Sequence, residues 1–253
     1  VYETVGTGNV TLNNVNIDTL TTKAGGENSI HLRDSVLGTV EMDSNAGNEA
    51  TRLVFSKATV IENSLTVKDN VKAIIDAENS EIKPSIASLD IKGNTTIKNI
   101  KVQEIKAKND IVVENSTVTT IKADTKDKVS ITLDENTKVE EVKAKKSVEI
   151  KPADSAKDSK KIDKITVEAD SINITADVPV GEIKPSKNES DTKDIITKDV
   201  TVNATKHVDK VVTMGTVDLK GGGTTDVENA KSLTVSDGTS TNAKNVTNVE
   251  VKT

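Results

Sequence analysis

Aromatic residues and cysteine are almost absent from this chain of 253 residues. It contains one Tyr, one Phe, no Trp and no Cys. Without Cys there is no disulfide, no thiol nucleophile and no Cys-based metal site. Nucleic-acid modules that stack bases on aromatic rings need several such rings, so this class of binding protein is excluded. The same shortage argues against a sugar-binding platform built on aromatic side chains.

Positive charge in excess and long apolar runs are also missing. The chain has 34 basic and 40 acidic residues and a net charge of -6, so electrostatic capture of a nucleic-acid backbone is not expected. Only two residues are arginine, Arg33 and Arg52. No apolar run approaches the roughly 18 residues that a membrane-spanning helix requires. The chain begins at Val1 without a recognisable signal peptide, which indicates a mature or excised fragment of a longer protein.

β-Branched residues are abundant. The chain contains 32 Val, 22 Ile and 33 Thr but only 10 Leu. Such residues favour pleated, half-buried surfaces over helices. A helical bundle is therefore unexpected, and a leucine-rich repeat lacks the leucine that it would need.

A short pattern recurs along the whole chain: apolar, two polar, apolar, one polar, then apolar or small. Twelve copies begin at residues 17 to 246, with a mean spacing of about 21 residues. The copies are Ile17-Leu20-Thr22, Leu37-Val40-Met42, Glu62-Leu65-Val67, Ile86-Leu89-Ile91, Val102-Ile105-Ala107, Val118-Ile121-Ala123, Val139-Val142-Ala144, Ile162-Ile165-Val167, Val180-Ile183-Pro185, Val208-Val211-Thr213, Ala230-Leu233-Val235 and Val246-Val249-Val251. In the third copy we expect Ile61 to take the inward place of Glu62. The apolar-x-x-apolar step predicts a bend within each element.

An alternating apolar pair precedes most copies, and alternation is the period of a strand. The pairs are Val10-Leu12, Ile30-Leu32, Leu53-Phe55, Ile111-Val113, Ile131-Leu133, Val148-Ile150, Ile172-Ile174, Val200-Val202 and Val217-Leu219. Each unit thus holds two short strands, or three. Because strands this short cannot bury an apolar face alone, successive units must stack, with parallel ladders about 4.8 Å apart.

The repeat therefore predicts an all-β fold: a right-handed parallel β-helix, or β-solenoid, of about 11–12 coils of roughly 21 residues. Stacked at that spacing, the coils would form one domain over 1–253, a rod roughly 55 Å long. Asn and Gly residues follow many inward pairs and would supply left-handed corners. Polar insertions at 43–52, 76–85, 151–161, 185–199, 220–229 and 236–245 are expected to be exposed loops.

One stretch near the amino end resembles a known class of protein. Residues 9–35 read NVTLNNVNIDTLTTKAGGENSIHLRDS, and the parts VTLNNV and GGENSIHL are similar to a segment of large surface proteins of Gram-positive (Firmicute) bacteria. Those proteins often carry S-layer homology modules elsewhere in the chain. The resemblance implies an extracellular location at the bacterial cell surface or cell wall and a structural or adhesive role. It implies no ligand and no catalytic residue.

Catalytic and metal chemistry find little support in the sequence. Hydrolases and lyases with this fold use clustered Asp residues, or an Arg or Lys base beside a calcium site. Here the acidic residues are scattered, so we expect no enzyme.

His31 and His207 each stand alone in the sequence, which disfavours a transition-metal site. Two Asp-containing loops, Asp43 to Asn45 and Asp191 to Asp194, could hold calcium, although neither has a recognisable calcium-loop pattern. No other cofactor is expected.

Charged residues recur at outward positions of the repeat. The lysines that share one slot are Lys106, Lys122, Lys143 and Lys184. The glutamates two residues earlier are Glu104, Glu141 and Glu182. These rows are either a mutually compensating lattice, with each pair worth roughly 0.2–1 kcal/mol, or a striped face that binds an anionic wall polymer.

The leading hypothesis is a non-catalytic structural or adhesive segment of a bacterial cell-surface or S-layer-associated protein, acting as a rigid scaffold or stalk. The alternative is a β-helix that binds or cleaves a polysaccharide. A cell-wall polymer, an extracellular polysaccharide, another surface protein or end-to-end self-association would be the partner. The open strand edges at the ends of a solenoid motivate the last of these.

Overall fold

Parallel strands are the main elements of the part of the chain that the structure describes. The computed structural model describes residues 2–6, 8–24, 29–45, 49–81, 83–125, 128–154, 162–186 and 197–252. These residues contain 26 strands and no helix. The chain is a β-solenoid of about 11 turns of roughly 20 residues, which confirms the predicted fold class.

Contacts divide the chain into two compact units. The first comprises 1–121 with 136–138, and the second comprises 122–135 with 139–253. The strands of the first unit are β1 (Tyr2–Gly6), β2 (Val10–Asn13), β3 (Asn16–Ala24), β4 (Ser29–Arg33), β5 (Val36–Met42), β6 (Thr51–Phe55), β7 (Val60–Val67), β8 (Ala73–Ala77), β9 (Ser85–Ile91), β10 (Thr95–Lys98), β11 (Lys101–Ala107) and β12 (Ile111–Glu114). The boundary between the units falls within β13 (Thr117–Ala123).

The second unit repeats the same architecture. Its strands are β14 (Val129–Leu133), β15 (Lys138–Ala144), β16 (Val148–Pro152), β17 (Ile162–Val167), β18 (Ser171–Ala176), β19 (Val180–Pro185), β20 (Asp199–Ala204), β21 (Val208–Val212), β22 (Thr216–Lys220), β23 (Thr225–Glu228), β24 (Ser232–Val235), β25 (Ala243–Lys244) and β26 (Asn248–Val251). Within each unit, odd-numbered strands pair in parallel with the next odd-numbered strand, and even-numbered strands do likewise. We call the two the odd sheet and the even sheet. Each coil therefore contributes two strands.

Columns of β-branched and leucine side chains fill the space between the two sheets. In the first unit, one column runs through Leu20, Val40, Leu65, Leu89 and Ile105, which pair in register and are fully buried. In the second unit, a corresponding column consists of Val142, Ile165, Ile183 and Val211. At about 25 cal/mol per Å² of apolar surface, this continuous burial is what makes short strands stable.

Several strands of the odd sheet have an interrupted register where the repeat places two polar residues in succession. On β11, Val102 pairs with Ile86 and Glu104 with Ser88, but Gln103 between them has no partner in the register. The same gap occurs at Gly38 on β5 and at Asp163 on β17. These gaps lie at the positions of the predicted bend. We call these unpaired positions the bend column.

Asparagine and hydroxyl side chains build the corners. Asn14, Asn99 and Asn115 have positive φ angles of 52°, 58° and 44°, which is the left-handed conformation expected there. Ser116 and Thr137 stack at the same corner, where the Thr137 Oγ1 hydroxyl donates to the Val113 carbonyl at 3.0 Å. Their oxygens satisfy backbone groups that the turn would otherwise leave buried and unpaired.

Several details of the predicted coil boundaries were wrong. The segments Ala230-Leu233-Val235 and Val246-Val249-Val251 contain β24 and β26 of the even sheet, not strands of the odd sheet. The insertions predicted at 220–229 and 236–245 contain β23 and β25, and the one at 43–52 includes the start of β6. By contrast, Ile61 is buried and Glu62 exposed, as expected, because β7 carries one extra residue opposite β5.

Candidate functional site

The predicted charged rows form an alternating pattern on the odd sheet of the second unit. Along one row, Glu141, Lys164, Glu182 and Lys210 pair in register on successive strands. Lys164 Nζ lies 2.9 Å from Glu141 Oε1, and Lys210 Nζ lies 3.6 Å from Glu182 Oε1. Each carboxylate in this row therefore faces an ammonium group on a neighbouring coil.

The predicted lysines occupy the adjacent row. Lys143 and Lys184 lie two coils apart with Thr166 between them. Lys143 Nζ is 3.8 Å from Glu141 Oε2, and Lys184 Nζ is 3.1 Å from Glu182 Oε2. The structure brings these four predicted residues together as ion pairs within their own strands. Because the two lysine side chains remain between a third and a half exposed, each pair contributes little to stability.

Glu141 has the most partners of this group. Burial raises its pKa, but the hydrogen bonds from Thr166 and Lys164 and the nearby charges of Lys164 and Lys143 outweigh that effect. The net result is a lowered pKa for Glu141. The Thr166 Oγ1 hydroxyl donates to Glu141 Oε1 at 2.5 Å. Glu141 is therefore ionised at neutral pH and pairs with the ammonium groups of Lys164 and Lys143.

The first unit surrounds the predicted residues with different neighbours. Lys106 and Glu104 lie on β11, with Lys106 Nζ 3.7 Å from Glu104 Oε1. The Lys106 row continues through Asp90 and Thr66, and the Glu104 row through Ser88. Hydroxyl and carboxylate side chains, not lysines, precede Lys106 here. Lys122 lies on β13, beyond the boundary in the second unit, and its side chain is half-buried.

The two histidines lie in different units of the chain. In its described part, no three His, Asp or Glu side chains converge to hold a metal ion. His31 is half-buried on β4, and His207 Nε2 lies 3.2 Å from Asp209 Oδ1 on the surface.

One of the two candidate calcium loops, Asp43 to Asn45, lies among the described residues. Asp43 accepts a hydrogen bond from Lys68 Nζ at 2.5 Å, which lowers the pKa of Asp43. Asn45 Oδ1 accepts the backbone N–H of Lys72 at 2.7 Å. These oxygens thus already bind protein groups. Asp191 and Asp194 lie outside the described residues.

The two arginines lie beside carboxylates that are distant in sequence. Arg52 Nη2 is 2.7 Å from Asp76 Oδ2, and Arg33 Nε donates to Glu78 Oε1 at 2.6 Å. Asp76 is buried and also accepts a hydrogen bond from Asn99 Nδ2 at 2.8 Å. Sequence reasoning missed this network because the partners lie one or two coils apart, and their meeting depends on coil lengths. Each arginine and each carboxylate of this network is paired, which is typical of a structural role.

A groove runs along the bend column of the first unit. Its volume is about 480 Å³, within the range of about 300–1,000 Å³ typical of ligand pockets. The inward residues Ile61, Ile86 and Val102 form its floor. The residues on its two sides are Val60, Ser85, Lys101 and Thr117 before the bend and Ala87, Gln103 and Thr119 at the bend. We call this feature the bend groove. The sequence signal for it is the run of small or uncharged residues at consecutive bend positions.

Comparisons with models of known protein families, with curated proteins and with solved structures found no match. Among the described residues, no helix is long and apolar enough to cross a membrane.

Proposed function

We propose that this chain is a non-catalytic structural and adhesive segment of a bacterial cell-surface or S-layer-associated protein. Its role is that of a scaffold or stalk that carries load and displays a repetitive face outside the cell. The observation that carries the proposal is the pairing of outward charges within the coil stack, best developed in the row of Glu141, Lys164, Glu182 and Lys210. Because these side chains pair with neighbouring coils, few of them remain for chemistry.

The pattern of strand pairing is suited to a mechanical role. Each strand is held by parallel ladders to the coils before and after it, so stability is a sum of repeat and neighbour terms. The core columns described above consist of Val, Ile and Leu side chains that are fully buried. The polar outer rows keep such a stack soluble in the extracellular medium.

End-to-end self-association belongs to the same proposal. Val249 and Val251 on β26 are 56% and 69% exposed, whereas Leu233 and Val235, their partners on β24, are buried. An exposed strand with apolar inward side chains favours the addition of a further strand. Light scattering over a concentration series tests this: we expect the apparent mass to rise with concentration. A constant monomer mass up to high concentration would remove self-association from the proposal.

Location is tested directly on the source cells. Antibodies raised against the chain should label intact, unpermeabilised cells, and this labelling should be lost after mild surface proteolysis. Labelling that requires permeabilisation would contradict the surface role.

A parallel assay for turnover of acidic polysaccharides addresses the alternative, a β-helix that cleaves its ligand. Sustained product release would replace the structural proposal with an enzymatic one.

A further inference from the structure

The bend groove differs in charge from the surface around it. Although the chain carries 40 acidic residues, none of the lining residues of the groove is Asp or Glu. Its single charge is the ammonium group of Lys101, which is exposed and has no carboxylate partner among the described residues. In the second unit three of four successive bend positions carry acids, namely Glu140, Asp163 and Asp209, and the fourth is Gly181. The missing acids are therefore a property of this groove and not of bend positions in general.

Apolar and hydrogen-bonding side chains alternate along the groove. Val60 is 47% exposed at one end, although most valines of this protein are buried. Ser85, Gln103 and Thr119 offer hydroxyl and amide groups on three successive strands of the odd sheet, about 4.8 Å apart. This combination suits the faces of pyranose rings, whose C–H groups pack on aliphatic surface while their hydroxyls bind polar side chains. The coil spacing is also close to the length that one sugar adds to an extended glycan.

From these features we propose that the bend groove binds a linear glycan lying along the coil axis, with a carboxylate of one sugar against Lys101. The proposal rests on the adhesive part of the proposed function and supplies its ligand class. A glycan that carries a carboxylate on every second sugar fits best, because a denser polyanion would be repelled by the acidic surface outside the groove. An extended peptide fits less well, since the strand backbones beside the groove are already paired in the ladder.

The experiment is a titration of the full chain, labelled with nitrogen-15, followed by amide chemical shifts. The first probe is a hexasaccharide of alternating β-linked glucuronic acid and N-acetylglucosamine, and the second is cellohexaose, which is neutral. We expect saturable shifts at residues 85–87, 101–103 and 117–119 with the acidic probe, and at least fivefold weaker binding of cellohexaose. The Lys101→Gln variant should weaken binding of the acidic probe at least fivefold and leave that of cellohexaose unchanged. Lys108→Gln, which is exposed just after the end of β11 and lies outside the groove, is the matched control.

A second variant tests the groove independently of Lys101. Ala87→Glu places a carboxylate among the lining residues and should abolish binding of the acidic probe. Its circular dichroism spectrum and melting temperature should stay within the range of Lys108→Gln. The proposal would be overturned by the absence of saturable shifts at the groove, by equal affinity of Lys101→Gln and the unchanged protein, or by equal losses of affinity in Lys101→Gln and Lys108→Gln. None of these results affects the antibody labelling of intact cells, so failure of the glycan site is distinguishable from failure of the surface role.

Discussion

Asn115 Nδ2 donates a hydrogen bond to Oδ1 of Asn99, the residue one coil earlier at the same corner, at 2.7 Å. Both residues have positive φ, so each combines a left-handed backbone with a side-chain hydrogen bond to a neighbouring coil. Asn99 Nδ2 in turn donates to the buried carboxylate of Asp76. Asparagine is suited to this corner because it tolerates the left-handed region and offers both a donor and an acceptor.

Substitution of Asn99 should separate the backbone effect from the hydrogen bonds. Asn99→Gly removes the side-chain bonds but keeps a residue that adopts positive φ readily, whereas Asn99→Ala also forces Ala into that region. We expect Asn99→Ala to lower the free energy of unfolding by about 2 kcal/mol, roughly 1 kcal/mol more than Asn99→Gly. Urea unfolding followed by far-UV circular dichroism measures the difference. Equal losses of unfolding free energy in the two variants would show that the left-handed backbone conformation at residue 99 adds no cost for alanine.

Gly93 is required by a close approach of two coils. A Cβ at this position would meet the carbonyl oxygen of Val71 and would lie 2.6 Å from that of Lys68. Because backbone atoms cannot move aside as a flexible side chain can, Gly93→Ala should cost about 3 kcal/mol, the upper end of the range for overpacking. Gly8→Ala is the control, since a Cβ there meets nothing within 4 Å and should change stability by less than about 0.5 kcal/mol. Thermal and urea unfolding of the two variants should therefore diverge clearly; similar midpoints would contradict the close approach.

Periodicity in the sequence was sufficient to predict the fold because each coil must bury its own inward residues. It failed where small or polar residues occupy inward positions: β8 and β10, whose buried residues include Ala73, Ala77 and Thr95, were not predicted. Near the carboxyl end, the buried Ala230 before β24 imitated the pattern of the odd sheet and shifted the assignment of the last two copies.

Partners across coils were harder to predict than the coils themselves. Asn115 follows Asn99 by 16 residues, whereas Thr137 follows Ser116 by 21, so coil length varies even between neighbours. A residue slot counted from the mean spacing therefore drifts out of register. The alternation of Glu141 with Lys164 is a different case: both residues occupy the same slot of the repeat, so it was readable from the motif although it was not predicted.

The ionised carboxylate of Glu141 should make stability depend on pH in the acidic range. Its pKa is lowered from 4.5 in the folded protein, so it contributes stability that is present above pH 4.5 and lost as the pH falls through the folded pKa. We expect Glu141→Gln to unfold at lower urea concentration than the unchanged protein at neutral pH. The difference should shrink below pH 4.5 and vanish in stronger acid. Glu140→Gln, the exposed neighbour on the same strand, is the control. A difference between Glu141→Gln and the unchanged protein that is constant from neutral to acidic pH would contradict the assigned ion pairs.

Reversal of the lysine rows distinguishes a compensating lattice from a polymer-binding stripe. In Lys106→Glu/Lys122→Glu/Lys143→Glu, the carboxylates at 106 and 143 would face those of Glu104 and Glu141 on the same strands, so attraction becomes repulsion. If the rows serve mainly to compensate charge, the triple variant should be less stable by about 1–2 kcal/mol, because each exposed pair is worth about 0.2–1 kcal/mol. Its retention on purified cell wall should then equal that of the unchanged protein. The matched control is the triple glutamine variant, which removes the same charges without introducing repulsion. Loss of wall retention in both variants, with melting temperatures that leave them folded under the assay conditions, would instead assign the anionic wall polymer to the stripe of Lys106, Lys122, Lys143 and Lys184.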